Sequence, residues 1–170
     1  MKVLKDFTIP FVGLKEGNHD FTFDIDEKFF DSFEYSEINN GKVRVLVSME
    51  KQSRMMIFNF TIKGVVVVAC DRCLSDMEYP VNGSERLIVK FGQEWKEETD
   101  EILIIPQTDS HIDLSQFIYE YIMLMLPYKR VHTEGEGICD AEMIGKLEQH
   151  TEPEPDPRWD ALKELKLRKE

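Results

Sequence analysis

"KVRVLVSMEKQSRMMIFNFTI", Lys42 to Ile62, decides the fold class. Val43, Val45, Val47 and Met49 fall on every second position of its first half. Met56, Phe58, Phe60 and Ile62 do the same in its second half. A period of two places each set on one face of a strand. The polar stretch Lys51 to Arg54 between them is where the chain reverses. The segment therefore reads as a β-hairpin with one buried face.

Working outward, Gly64 interrupts the alternation and predicts a bulge or bend. Val65 to Val68 are apolar at every position, which predicts a strand covered on both faces. Upstream, Phe7, Ile9 and Phe11 share one face, as do Phe21, Phe23 and Ile25. The turn "KEGNH" between these sets predicts another hairpin. "DEKFFDSFE" breaks the pattern, and Asp26 is placed to cap a short helix with Phe29, Phe30 and Phe33 facing inward. Downstream, "ERLIVKF" and "EILII" add strands on either side of the acidic loop "GQEWKEETD". The period then changes. Leu114, Phe117, Ile118, Tyr121, Ile122 and Met125 follow helical spacing, with Asp113 as the cap and Pro127 ending the run. The fold class expected is α+β: an antiparallel, strongly curved or barrel-like sheet with one long core helix and a short C-terminal helix.

The domain boundary is expected near residue 132. Residues 1–132 form the core α+β domain, and 133–170 an acidic tail in which a short helix around Ala141 to Leu147 can form. Pro153, Pro155 and Pro157 alternate in an extended linker. Beyond them Trp159, Leu162 and Leu165 recur at helical spacing. A helix this short needs a docking surface, on its own domain or on a partner.

Composition excludes several classes. A net charge of −12 over 170 residues argues against tight nonspecific binding to nucleic acid, and is suited to basic partners such as ribosomal proteins. No apolar run has the length of a membrane span. "MKVLKDFTIP" lacks a signal-peptide core, so the expected location is cytoplasmic. P-loop, G-x-G-x-x-G, H-E-x-x-H and G-x-S-x-G motifs are absent, and the expectation is a protein that is not an enzyme.

The three cysteines, an odd number, do not make a disulfide framework in a reducing compartment. Cys70-Asp71-Arg72-Cys73 follows the valine run and admits three readings. A redox pair needs a helix directly after it, to lower the pKa of the first thiol. The following "LSDMEYPVNG" contains Pro80 and Gly83 and does not predict one. A metal site needs two more ligands, for which Cys139 and His132 are the candidates; with them the set is Cys3His, suited to zinc. The third reading is two reduced thiols at a strand end. His19, His111 and His150 read as surface residues. Trp95, in the acidic loop, reads as a lid or a contact residue.

Three separated motifs resemble one family. "CDRCL" follows an apolar strand, "IDLSQFIYEYIMLMLP" follows about forty residues later and leads to a His and a Cys, and "DPRWDALKEL" closes the chain. Together, over residues 60 to 167, they are similar to the YceD family, the large ribosomal RNA subunit accumulation protein. That resemblance implies a non-enzymatic role in accumulation of large-subunit ribosomal RNA and in ribosome assembly. Taken with the acidic net charge, that role points to a basic ribosomal protein or a large-subunit precursor particle as the expected partner. In many bacteria the family's gene neighbours that of a small basic zinc-ribbon protein of the large subunit. Some members carry a second C-x-x-C after the "LP" segment. Here that region has only His132 and Cys139, so either His132 substitutes for a cysteine or the site has become a packed thiol cluster. Arg72, Lys129 and Arg130 flank these motifs and are candidate contacts for a phosphate or a partner. Arg158 and Trp159 of the closing motif are further candidates. Two other classes stay open: a thiol-dependent redox protein using Cys70 and Cys73, and a generic zinc-stabilised interaction module.

Overall fold

A computed structural model describes residues 5–132 and 139–151. Its chain divides into two units: Met1–Ala69 with Asp76–Arg130, and Cys70–Ser75 with Val131–Glu170.

The first unit is built on the Lys42–Ile62 hairpin. Its strands lengthen to β3 (Ile38–Lys51) and β4 (Met55–Ala69), paired antiparallel along nearly their whole length. Val43, Val45, Val47, Met49, Met56, Phe58, Phe60 and Ile62 are all buried, as the alternation requires. β2 (Gly17–Ile25) flanks β3, and β5 (Asp76–Gly92) flanks β4. β6 (Lys96–Thr99) and β7 (Ile102–Pro106) complete a six-stranded sheet of order β2-β3-β4-β5-β7-β6. β1 (Thr8–Pro10) and β8 (His111–Asp113) form a separate two-stranded pair.

Two helices cover the buried face. α1 (Glu27–Phe30) is capped by Asp26, whose Oδ1 accepts the Lys28 N–H at 3.1 Å, and it buries Phe29 and Phe30. α2 (Ser115–Leu124) sets Tyr121 edge-on against Phe60, with ring centroids 5.1 Å apart. Just beyond α2, Met125 lies over Gly83, where a Cβ would come within 2.6 Å of the methionine methyl.

Several expectations need correction. The sheet is open, not barrel-like, because its outer strands do not meet: β2 bounds one side and β6 the other. It is not wholly antiparallel, since β5 and β7 run parallel, with β6 in the connection between them. The Phe7–Phe11 segment does not form a hairpin with Phe21–Ile25. Instead β1 pairs with β8 and β2 with β3. Lys51 holds the intervening loop by donating to the carbonyls of Phe11 and Leu14, both at 2.7 Å. Among the described residues, one long core helix is not shown. α2 spans 10 residues, and Pro127 disfavours helical backbone in the residue before it. Asp113 accepts the Ser115 N–H at 2.9 Å, but the N-cap position itself belongs to Leu114.

The valine run is fully covered on one face and only partly on the other, where Val67 is half-buried. Val66 and Val68 are fully buried, whereas Val65 is 38% exposed. Gly64 marks no bulge, because the β3–β4 register runs through it unbroken and the irregularity falls between Ile38 and Asn40. It is a point of close approach. A Cβ at Gly64 would collide with the Lys42 carbonyl oxygen and Val43 Cα across the ladder.

Candidate metal centre

The second unit begins where β4 stops. Cys70 to Ser75 form a tight turn, closed by Leu74 N–H donating to Cys70 O and Cys70 N–H donating to Ser75 O, both at 2.9 Å. Leu74 takes the left-handed backbone the turn needs, with φ of 62°. That conformation is costly for a branched side chain. The turn leads directly into β5 and not into a helix, so Cys73 lacks the following helix that the redox reading of C-x-x-C requires.

The other two ligand candidates come from later in the chain. His132 lies beyond α2. Cys139 immediately precedes Asp140, whose Oδ1 accepts the N–H groups of Glu142 at 2.8 Å and Met143 at 3.0 Å. That cap starts α3 (Ala141–Thr151), a helix that continues past the Leu147 end expected for it.

The ligand atoms of Cys70, Cys73, His132 and Cys139 all lie within 4.8 Å of one another. Cys70 Sγ is 4.0 Å from Cys139 Sγ, and His132 Nδ1 is 3.6 Å from Cys73 Sγ and 3.7 Å from Cys139 Sγ. Four donors at tetrahedral corners about 2.0–2.3 Å from a zinc ion are separated by roughly 3.5–3.8 Å. These three spacings lie within a few tenths of an ångström of such edges, while the set as a whole is bounded at 4.8 Å, so closing on an ion asks for a small contraction. Three thiols and one imidazole are also the soft donor set that zinc takes in closed structural sites. Cys70 and Cys73 are buried; His132 and Cys139 are half-buried.

The surroundings favour the deprotonated state that a metal needs at Cys70 and Cys73, and oppose it at His132 and Cys139. Ser75 Oγ, 3.0 Å from Cys73 Sγ, does most to lower the pKa of that thiol. Burial opposes it, the N–H groups of Ser75 and Asp140 add to it, and Cys73 settles at about 6. Burial pushes Cys70 up, but the N–H groups of Cys73, Arg72 and His132 outweigh it and leave the thiol below its ordinary value. Burial lowers His132, yet the thiolates of Cys70 and Cys73 overcome it and favour the imidazolium. Burial and the two neighbouring thiols raise Cys139. A divalent ion would offset the repulsion among neighbouring thiolates and favour release of protons from the donors.

The remaining candidates are placed as follows. Arg72 is exposed in the turn, and Lys129 is exposed at the end of the first unit. Arg130 is ion-paired to Glu37 at 2.8 Å. Arg158 and Trp159 lie outside the described residues, as does the expected C-terminal helix. Trp95 donates to Asp109 at 3.1 Å, and His19 bonds the Lys15 carbonyl at 2.8 Å. The sequence reading passed over Ser75 and Asp140. A Ser two residues after the second cysteine and an Asp heading "DAEM" were the available signals.

An open sheet in one chain with a four-donor Cys3His cluster defines a class: a small α+β protein with a second unit whose thiols and imidazole could hold a metal ion. The particular family follows from comparison. The family described as Large ribosomal RNA subunit accumulation protein YceD matches residues 58–166. The chain belongs to the YceD family. It is similar to Uncharacterized protein YlbN of Bacillus subtilis (strain 168), with 29% identity over 128 residues, covering 72% of this chain and 73% of that one. No solved structure matches at a significant level. Among the described residues, no helix is long and apolar enough to cross a membrane.

Proposed function

We propose that this protein is a non-enzymatic cytoplasmic factor supporting accumulation of large-subunit ribosomal RNA. It acts in assembly by holding a basic ribosomal protein or a large-subunit precursor particle. The observation that carries this reading is the family match, which runs from β4 through the cysteine turn, α2 and α3. The charge of −12 supports a basic protein over bare RNA as the first contact. Zinc at Cys70, Cys73, His132 and Cys139 has a structural part in this reading. It ties the turn after β4 to the segments around residues 132 and 139, and it carries no chemical step.

Sedimentation tests the proposal. In an extract lightly crosslinked and spun through a sucrose gradient, this protein is expected in fractions holding large-subunit precursors and not in those of the small subunit. A protein found wholly in the free fractions, crosslinked or not, would point to a zinc-stabilised module unrelated to ribosomes.

A further inference from the structure

Away from the cysteines, the first unit has a groove of about 520 Å³ between α2 and the β6–β7 hairpin. That volume is within the range of pockets that take sizeable ligand groups. Its α2 wall is a second helical stripe: Phe117, Glu120, Tyr121 and Leu124 follow i, i+3, i+4, i+7 spacing. Leu124 is 73% exposed, which is unusual for a leucine on a groove wall. Ile102 and Leu103 of β7 and Leu87 of β5 extend the apolar lining.

The charges around this groove are sorted. Glu98 pairs with Lys90 at 2.7 Å, and Glu101 with Arg86 at 3.3 Å; none of these four residues lines the groove. Glu97, Asp100 and Glu120 do line it, and no Lys or Arg does. Among the described residues these three carboxylates have no ion-pair partner; Glu120 accepts only from Gln116, at 2.6 Å. The Tyr121 hydroxyl is buried in the groove wall and has no hydrogen-bond partner among the described residues. Burial and then Glu85, Glu120 and Glu101 push its pKa up to about 12, a sign of the negative potential there.

We propose that this groove docks a cationic segment of a basic partner protein, with an apolar side chain seated against Phe117 and Leu124 and Lys or Arg groups paired to Glu97, Asp100 and Glu120. Charge complementarity selects the occupant. Unpaired carboxylates repel a phosphate backbone and attract Lys and Arg, while the apolar lining rewards an anchor that a purely ionic contact would not use. The proposal deepens the assembly reading, on which the choice of a basic protein partner rests.

The test uses the full chain and a fluorescent amphipathic peptide of lysine, leucine and phenylalanine. Glu97→Lys with Glu120→Lys is expected to weaken binding by about tenfold or more, equivalent to about 1.4 kcal/mol. Asp20→Lys with Glu78→Lys makes the same change in net charge outside the groove and is expected to cost far less. Equal weakening by both pairs would overturn the proposal, since only the overall field would then be at work. Tighter binding of single-stranded RNA than of the peptide would overturn it too. A photo-crosslinking residue at position 124 is expected to capture the peptide; capture of the chain's own residues 152–170 instead would give the groove to its tail and overturn an external partner.

Complementation of a deletion strain separates this idea from the assembly reading. A groove variant that loses the peptide yet fully restores ribosomal RNA overturns the groove and leaves the reading intact. Groove-dependent peptide binding, alongside a deletion without RNA phenotype, supports the groove and removes the reading.

Discussion

Cys73→Ser is expected to abolish zinc retention. Protein purified without chelator should hold close to one zinc per chain, and the variant close to none. Losing an outer-shell partner of a bound metal typically costs about 10–100-fold in affinity. Cys73 would be a direct ligand, and the thiol most readily ionised, at about 6. The loss should therefore exceed a hundredfold. A serine hydroxyl also remains protonated at neutral pH and cannot replace the thiolate. The consequence should be readable in α3, whose N-terminus lies one residue beyond Cys139–Asp140. Its amides should lose hydrogen-exchange protection in the variant. Structural zinc contributes about 10–16 kcal/mol of apparent binding energy in small zinc domains, so a filled site would dominate the stability of these segments. If wild-type protein is metal-free and Cys73→Ser changes neither protection nor stability, the cluster is a set of packed thiols.

Gly64→Ala should be the most damaging single methyl in the first unit. The new Cβ would meet backbone, the Lys42 carbonyl oxygen and Val43 Cα, and not the far end of a flexible side chain. Relief requires β3 and β4 to separate where both are central to the sheet. Overpacking a well-packed site costs about 1–3 kcal/mol when side chains can yield. Here the backbone must yield, so a loss of more than about 3 kcal/mol is expected, lowering the melting temperature by on the order of 10 °C. Gly13→Ala is the control, because a Cβ there meets nothing within 4 Å. Equal melting temperatures for the two variants would contradict the close approach.

How much was legible follows from what side-chain pattern encodes. Val43 to Met49 and Met56 to Ile62 alternate because one face is buried, so these strands and their pairing could be read directly. Strand direction leaves no such trace. Ile102 to Pro106 reads as a strand whether parallel to β5 or not, and the parallel pairing was missed. "KEET" is exposed at every position and shows no apolar alternation, so β6 read as a loop. β1 and β8, three residues each, are too short for periodicity to show which strand they join. The valine run looked covered on both faces because hydrophobicity records preference, not environment, and Val65 meets solvent.

The ligand candidates were legible because few residue types bind soft metals and only three cysteines exist. What tunes them was not. The N–H groups that lower Cys70 and Cys73 belong to Arg72, Cys73, Ser75, His132 and Asp140, and backbone groups leave no signature in residue identity. The groove was hidden for a related reason. Leu124 and Phe117 fit the same helical period as the core residues, and β6, its opposite wall, read as loop.

The ratio of large- to small-subunit ribosomal RNA in cells lacking this protein tests the assembly role without intermediaries. Mature large-subunit RNA should fall while small-subunit RNA is spared, and the wild-type gene should restore the ratio. Equal loss of both RNAs, or no loss of either, would contradict it.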